Sequence, residues 1–516
     1  MTLIHATASS VPAALVGVPS PPVFVPELLR GLLSGARWDA TRDAALNVAQ
    51  EAVLDGVVGA TRNERRLLGA GEKKPKPGKT KKDAKTKALI PLQNALTKKT
   101  VLQGKQLAEK LQSIRFDVLD ATFGDGTHTE ALLEAGEPFT RVVGLDCDWG
   151  AQAAADSVTA TYGSSRFKFF PGKLMSETLA LFGHNAFDAI IVDPGASMGQ
   201  LTNPRRGFEI SPVDDADNHD GSLDMRYSSR TRSTVLEVLN SMPKQELVQR
   251  LNALGGMATA DSLDDRRNNQ RVNVKQSEII LNVPEVKRLV NQICARRPFR
   301  GLHDILNAVD QSHIKEKIPS GGWLSDSWSE VAWSRLPPAL RIFAGLRAIV
   351  NDEVAELEKM LDAARWLLRD GGRCAVVARF PWERRLVKQH VAESATAVLL
   401  SETKILPSDA LEYSQPLGTS LFVFERCSPE KLAAIRAATV TEEMLQRDAQ
   451  RYVMGLDAAQ EAAGYGFPAP AFTKEDTLSD REVAAVREGL APVSADRAAP
   501  ISLRERRNFK RRPGVE

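Results

Sequence analysis

Cysteine is scarce in this chain of 516 residues: Cys147, Cys294, Cys374 and Cys427 are its four, and no two form a CxxC pair. Such spacing argues against a zinc site or a disulfide framework and suits a reducing compartment, so no metal is expected. Long apolar runs are missing as well. None reaches the roughly 18 residues needed to cross a bilayer, and no membrane partner is expected. Acids are absent before Glu27 and arginine before Arg30. Ser and Thr are present there, but without arginine the N-terminus matches an organellar presequence poorly. Net charge is only +3, yet the positives cluster at Lys73–Lys87 (KKPKPGKTKKDAKTK) and Arg504–Arg512 (RERRNFKRR). Runs of this kind are solvated, flexible arms, or they grip the phosphates of a nucleic acid.

The length predicts more than one globular unit. Residues 1–35 read as a disordered start and a lead-in, PPVFVPELLRGLL, with a short helix. Residues 36–114 read as helix (36–66), a lysine-rich linker, and a second helical pattern from Leu89. Four apolar strands then alternate with helices, at Phe116–Ala121, Arg141–Leu145, Phe167–Phe170 and Phe187–Val192. That alternation predicts an α/β fold whose parallel sheet is covered on both faces. Residues 115–228 form the first part of this domain. Residues 229–330 show no strand series, only helical periodicity at Leu236–Leu251 and Val283–Val309, with a polar segment near Asp261–Gln276. Residues 331–427 supply the second part of the domain. It comprises a long amphipathic helix or pair at 337–369, a turn Asp370-Gly371-Gly372, the strand RCAVVARF at 373–380, and strands Thr396–Leu400 and Thr419–Phe424. Residues 428–516 read as a helical, then basic, extension.

Two stretches carry chemistry. The first, DATFGDGTH at Asp120–His128, joins a strand to a helix. Glycines at such a turn let backbone N–H groups approach a ligand closely. Asp146 ends the next strand, where an acid accepts hydrogen bonds from ribose hydroxyls. The third glycine of GxGxxG is missing, which favours S-adenosylmethionine over a dinucleotide. The bland alternative is a tight strand-to-helix turn without a ligand, and His128 is then a helix-entry residue. The second stretch, IVDPGASMGQLTNPRRGFEI and then DGSLDMR, runs from Ile191 to Arg226. It begins as a strand ending at Asp193 and continues as a long loop rich in turn residues and charges of both signs, which is functional or disordered.

Together these stretches resemble the RsmH/MraW family of small-subunit ribosomal RNA cytosine-N4 methyltransferases. Against the family's D-x-T-x-G-x-G-G-H stands DATFGDGTH. Against D-L-G-x-S-S-x-Q-L-D, R-G-F-S-F and D-G-P-L-D-M-R-M stand DPGASMGQLT, RRGFEI and DGSLDMRY, and RIFAGLRAIVNDEVAELE at Arg341–Glu358 matches a family helix. The resemblance covers roughly residues 20–35 and 115–427. It implies a class I, Rossmann-like methyltransferase with a mostly parallel seven-stranded sheet and a helical domain inserted between strands 4 and 5. It implies S-adenosylmethionine contacts at Gly124, Gly126, Thr127, His128, Asp146, Leu174, Asp193 and Gln200. Thr127 replaces a glycine and Leu174 a phenylalanine. The implied reaction is attack by a cytosine exocyclic amine on the sulfonium methyl.

Asp193 is placed to touch the cofactor or the amine. Asp224 and Arg226 hold the loop or the nucleotide, or simply pair with each other. Asn351 and Glu353 face the site, or lie on a solvated helix face. One segment departs from the family. Where it has S-F-H-S-L-E-D-R-x-V-K, residues 378–388 read ARFPWERRLVK, so the hydroxyls and imidazole expected to border the target base are gone. Phe380 and Trp382 stack on a base there or fill the pocket. Two expectations follow. One is an active rRNA methyltransferase; the other is a methyltransferase-like factor that binds rRNA in small-subunit assembly with little or no turnover. The family's setting and the long charged insertions point to rRNA and an assembly particle as partners and to mitochondria as the location.

Overall fold

The computed structural model describes residues 24–44, 47, 115–136, 140–201, 203–208, 223–254, 283–313, 338–405, 419–436, 441 and 443–451. The expectations for residues 1–20, for 48–114 with the lysine run and the pattern from Leu89, for 209–222, for Asp261–Gln276 and for 452–516 with the basic tail lie outside them. Seven strands, β1 (Phe116–Asp120), β2 (Thr140–Asp146), β3 (Phe167–Pro171), β4 (Phe187–Val192), β5 (Leu368–Ala378), β6 (Ala397–Lys404) and β7 (Ser420–Arg426), make one sheet. Their order is β3-β2-β1-β4-β5-β7-β6. All pairs are parallel except those of β7 with β5 and β6. This is the seven-stranded, Rossmann-like arrangement expected from the sequence.

The sheet is buried on both sides because successive side chains of its central strands feed two cores. Val118, Ala189, Ile191 and Val377 pack with Leu28 and Leu32 of helix α1 (Val25–Leu32), Leu132 of α2 (Thr127–Ala135) and Val158 of α3 (Gln152–Tyr162). Leu119, Ile190, Val192 and Val376 pack on the other side with Leu179 of α4 (Thr178–Phe182). A four-residue helix, α5 (Met198–Leu201), follows β4. The same core continues without a break into the helices between β4 and β5: α6 (Val235–Ser241), α7 (Val283–Arg296), α8 (Leu302–Gln311), α9 (Pro338–Val350) and α10 (Glu353–Leu367). The helical insertion is thus where the resemblance put it.

Several boundaries differ from the sequence reading, each for a local reason. The pattern at Leu236–Leu251 is two helices, because Pro243 follows the end of α6 and the chain restarts at 244–254. The pattern at Val283–Val309 is also two, broken around Pro298. The stretch 337–369 is a pair, divided where Asp352 takes a left-handed conformation (φ 50°). The turn expected ahead of β5 lies inside it. Phe187 pairs with Leu368 but Ala189 with Arg373, so Asp370-Gly371-Gly372 is absorbed as a bulge with Gly371 at φ 76°. The strand also stops at Ala378, and Phe380 caps the next helix, α11 (Pro381–Glu393). β6 runs to Lys404 rather than Leu400.

Beyond β7 the chain forms α12 (Pro429–Arg436) and a helical stretch at 443–451. The latter is tied down by Asp448, which is 3% exposed. Its carboxylate pairs with Arg365 and accepts from the Ala395 N–H at 2.9 Å. Arg365 is 1% exposed, so its charge needs that partner. Asp448→Ala is expected to lower unfolding free energy by about 3 kcal/mol in urea titrations, with Asp362 as the remaining partner that limits the loss. Asp448→Asn, which keeps an acceptor for Ala395, is expected to cost less.

Candidate active site

In an open parallel sheet, ligands bind beyond the carboxyl ends of the strands, where the strand order reverses. Here that point lies between β1 and β4, with β2 alongside. Three acids gather at it. Asp120 ends β1 fully buried; it accepts from the Thr129 hydroxyl at 2.8 Å and the Thr122 N–H at 3.3 Å, and burial raises its pKa. Asp146 ends β2. It accepts from the Gly124 N–H at 2.7 Å and the Asp148 N–H at 2.8 Å, so it shapes the glycine loop. Burial pushes its pKa up to about 6. Asp193 follows β4; its N–H donates to the Thr122 hydroxyl at 2.7 Å.

The loop turns because Gly124 and Gly126 take positive φ, 54° and 80°. A side chain at 126 would run into the Phe123 ring, with its Cβ only 2.8 Å away. Of the residues expected to meet the cofactor, Gly124, Asp146, Leu174, Asp193 and Gln200 line the cleft beside these acids. Gly126, Thr127 and His128 do not line it. Gly126 serves as the N-cap that starts α2, and Thr127 is the first residue of that helix. His128 sits behind, buried, with Nδ1 3.9 Å from Asp193 Oδ2. Leu174 gives its N–H to Glu177 at 2.6 Å.

The described ends of the Ile191–Arg226 stretch, at 191–201, 203–208 and 223–226, are stitched together. Arg206 donates to Asp148 at 2.7 Å and to the carbonyls of Arg226 and Tyr227 at 2.9 and 3.2 Å. Its own carbonyl accepts from the Met225 N–H at 2.8 Å. Gln200 bonds Asp148 at 2.8 Å and the Tyr227 carbonyl at 3.3 Å. Asp224 and Arg226 hold each other through two bonds, of 2.7 and 2.9 Å, and neither lines the cleft. Of the two readings the sequence left open for that pair, the geometry shows the internal bridge.

Asn351 lines the cleft but spends its amide on backbone. It accepts from the Tyr227 N–H at 2.7 Å and donates to the Met225 carbonyl at 2.8 Å. It thereby holds Met225, whose φ of 53° is unusual for a side chain of that size. Glu353 is 6% exposed rather than on a solvated face. It pairs with Arg347 at 2.7 Å and accepts from the Tyr227 hydroxyl at 2.9 Å. Sequence reasoning missed Tyr227, which lies in the cleft, stacks on Phe208 at 5.7 Å and has its phenol pKa raised by burial. It also missed Cys147, Lys173 and Glu356; a place just past the end of β2 or β3 was the available signal for the first two.

The rewritten segment does not plug the cleft. Phe380 and Trp382 are 2% and 1% exposed, stack on each other at 6.2 Å, and belong to the core. Arg347 covers the Phe380 ring at 4.9 Å. Arg379 points inward instead. It pairs with Asp193 and donates to the Pro194 carbonyl at 2.9 Å. Glu383 accepts from the N–H groups of Arg379 and Phe380 at 2.6 and 2.9 Å, and burial raises its pKa to about 7.

The donor set fits S-adenosylmethionine. That molecule presents a ribose diol, an ammonium and a sulfonium that seek negative or accepting groups, and one carboxylate that seeks donors. Among the described residues, the cleft offers the carboxylates Asp146, Asp193, Glu353 and Glu356, against one cation, Lys173. As the carboxylate, Asp146 would accept from a ribose hydroxyl, so cofactor affinity is expected to be full above about pH 6 and to fall as pH drops through that value. Below it the loss should approach about tenfold per pH unit by calorimetry. Asp146→Asn is expected to remove that acid limb.

A model of the MraW methylase family matches residues 96–415, more than half of the chain. Among curated relatives, the ribosomal RNA small subunit methyltransferase H of Rippkaea orientalis is 28% identical over 309 residues, 58% of this chain and 83% of the relative. The protein of that name from Trichormus variabilis is 28% identical over 330 residues, 64% and 87% of the two chains. The one from Geotalea daltonii is 31% identical over 276 residues, 52% and 73%. With the sheet order and the acid-ended strands in place, the chain belongs to the MraW methylase family, a class I fold that uses S-adenosylmethionine.

Proposed function

We propose that the chain methylates the exocyclic N4 of a cytidine in small-subunit ribosomal RNA. The observation that carries this reading is the acid-lined cleft at the switch point, bordered by Asp193, Pro194, Gly195, Ser197 and Gln200. Held by the cleft-lining acids, S-adenosylmethionine would supply an electrophilic methyl to the amine, leaving as its thioether, with the amine's proton passing to solvent. The chain's own residues bind, align and accept. Asp146 holds the ribose end. Glu356, together with Asp193 and Glu353 beside their buried partners Arg379 and Arg347, lines the cleft with acceptors for a cationic ligand. Tyr227, fixed at its N–H, its hydroxyl and its ring, forms a rigid wall for a base brought out of the RNA.

A ribosomal assembly particle as the setting, and mitochondria as the location, belong to this proposal; the basic segments 73–87 and 504–512 support the first as phosphate-gripping arms, and the long charged insertions into a bacterial-type core support the second. One observation favours the second reading, an rRNA-binding assembly factor of weak turnover: Arg379 already neutralises Asp193 where the family carries hydroxyls and an imidazole.

The test is purified protein with labelled cofactor and small-subunit rRNA. Transfer to a cytidine N4 is expected, reduced about 100-fold or more in Asp193→Ala. Cofactor binding without transfer would decide for the assembly factor. Asn351→Ala leaves the Tyr227 N–H and Met225 carbonyl without their bonds to that amide. It is expected to lower stability by about 1–3 kcal/mol in urea and to cut transfer more than cofactor binding.

A further inference from the structure

Arg379 and Asp193 are 2% and 3% exposed, and the guanidinium meets Asp193 Oδ1 and the Pro194 carbonyl from the junction of β5 and α11. Other charged or titratable groups face the pair from the elements around it. His128 Nδ1 lies 3.9 Å from Asp193 Oδ2 on the α2 side, and Asp120 acts from β1. Glu383 accepts from the Arg379 N–H on the α11 side. Asp120 and Glu383 are acids. A carboxylate buried among acids would take up a proton unless a cation stands against it. Arg379 is that cation. It is also a fixed one, because its side chain is held at the Pro194 carbonyl and its backbone at Glu383.

We infer that Arg379 is a positioning residue for Asp193, keeping that cleft-lining carboxylate ionised and fixing its rotation. The inference rests on the proposed function. It also accounts for the rewritten segment, where the polar groups lost around Ala378–Pro381 are replaced by one guanidinium acting through Asp193. The side chain fits no role as a base-stacking or RNA-contacting group, because it is enclosed. An unbranched neutral side chain in its place would leave the Asp193 carboxylate buried without its charge partner.

The experiment has two arms, run on the full chain as Arg379→Met, Arg379→Lys and the Arg379→Met, Asp193→Asn double variant. In the first, melting temperatures are taken at pH 5.5 and pH 8. Arg379→Met is expected to lose more at pH 8, where Asp193 must be charged, and the double variant to recover most of the loss. In the second, S-adenosylmethionine affinity is followed by calorimetry from pH 6 to 9. Arg379→Met is expected to bind at least tenfold more weakly at pH 7, to approach the unaltered protein near pH 9, and to be rescued at pH 7 by Arg379→Lys.

Additive melting losses for positions 379 and 193 would overturn the inference. So would an affinity change of the same size at every pH, which is what mere packing damage gives. Failure of the unaltered protein to bind the cofactor at any pH would sink the functional reading, while the melting cycle still decides whether Arg379 holds Asp193 charged.

Discussion

Asp120, Asp146 and Asp193 stand at the carboxyl ends of three strands that lie side by side, the first and last buried and Asp146 half-buried, and carboxylates so placed repel one another unless each is answered. Each is answered differently. Asp120 has the Thr129 hydroxyl and a backbone N–H, Asp146 has two backbone N–H groups, and Asp193 has a guanidinium. The answers build the site. Satisfying Asp146 fixes the position of Gly124, and satisfying Asp193 draws the start of α11 against β4. Thr122 links two of the acids, giving its N–H to Asp120 and taking one from Asp193. The acidity that suits a cationic cofactor is thus also what makes the loops converge.

Much of this was legible in the chain. The β1–β4 alternation, the strand-end acids and the insertion after β4 follow from runs such as FDAIIVD, where apolar residues fill every position of a strand buried on both faces. The β5 bulge was not legible. Asp370-Gly371-Gly372 is a turn by composition, and only pairing with β4 keeps its flanks in one strand. The division of 337–369 was half legible, because amphipathic periodicity continues through Asp352, whose left-handed backbone carries no clear sequence mark.

Within the site, residue types were easier to read than partners. Asp224 and Arg226 looked equally suited to a ligand and to each other, and spacing of two could not choose. Asn351 has a side chain suited to recognising a base, yet its amide is consumed by Met225 and Tyr227, more than a hundred positions earlier. Arg379 looked like part of a loss because its neighbours changed; its contact with Asp193 is made between the ends of the neighbouring strands β4 and β5, far apart in sequence, and leaves no local pattern. Phe380 and Trp382 read as exposed stacking rings or as a plug, and burial settles them as core.

The left-handed residue at Asp352 makes a corner between α9 and α10, with Asn351 and Glu353 on either side of it. Both reach Tyr227, from a part of the chain that follows the whole insertion. Closing such a joint brings distant segments together at an entropic cost that grows slowly with the intervening length. A chain halted with its sheet half assembled has no pocket to offer. Cofactor occupancy therefore counts fully folded molecules, and through mass action it draws partly folded ones toward completion.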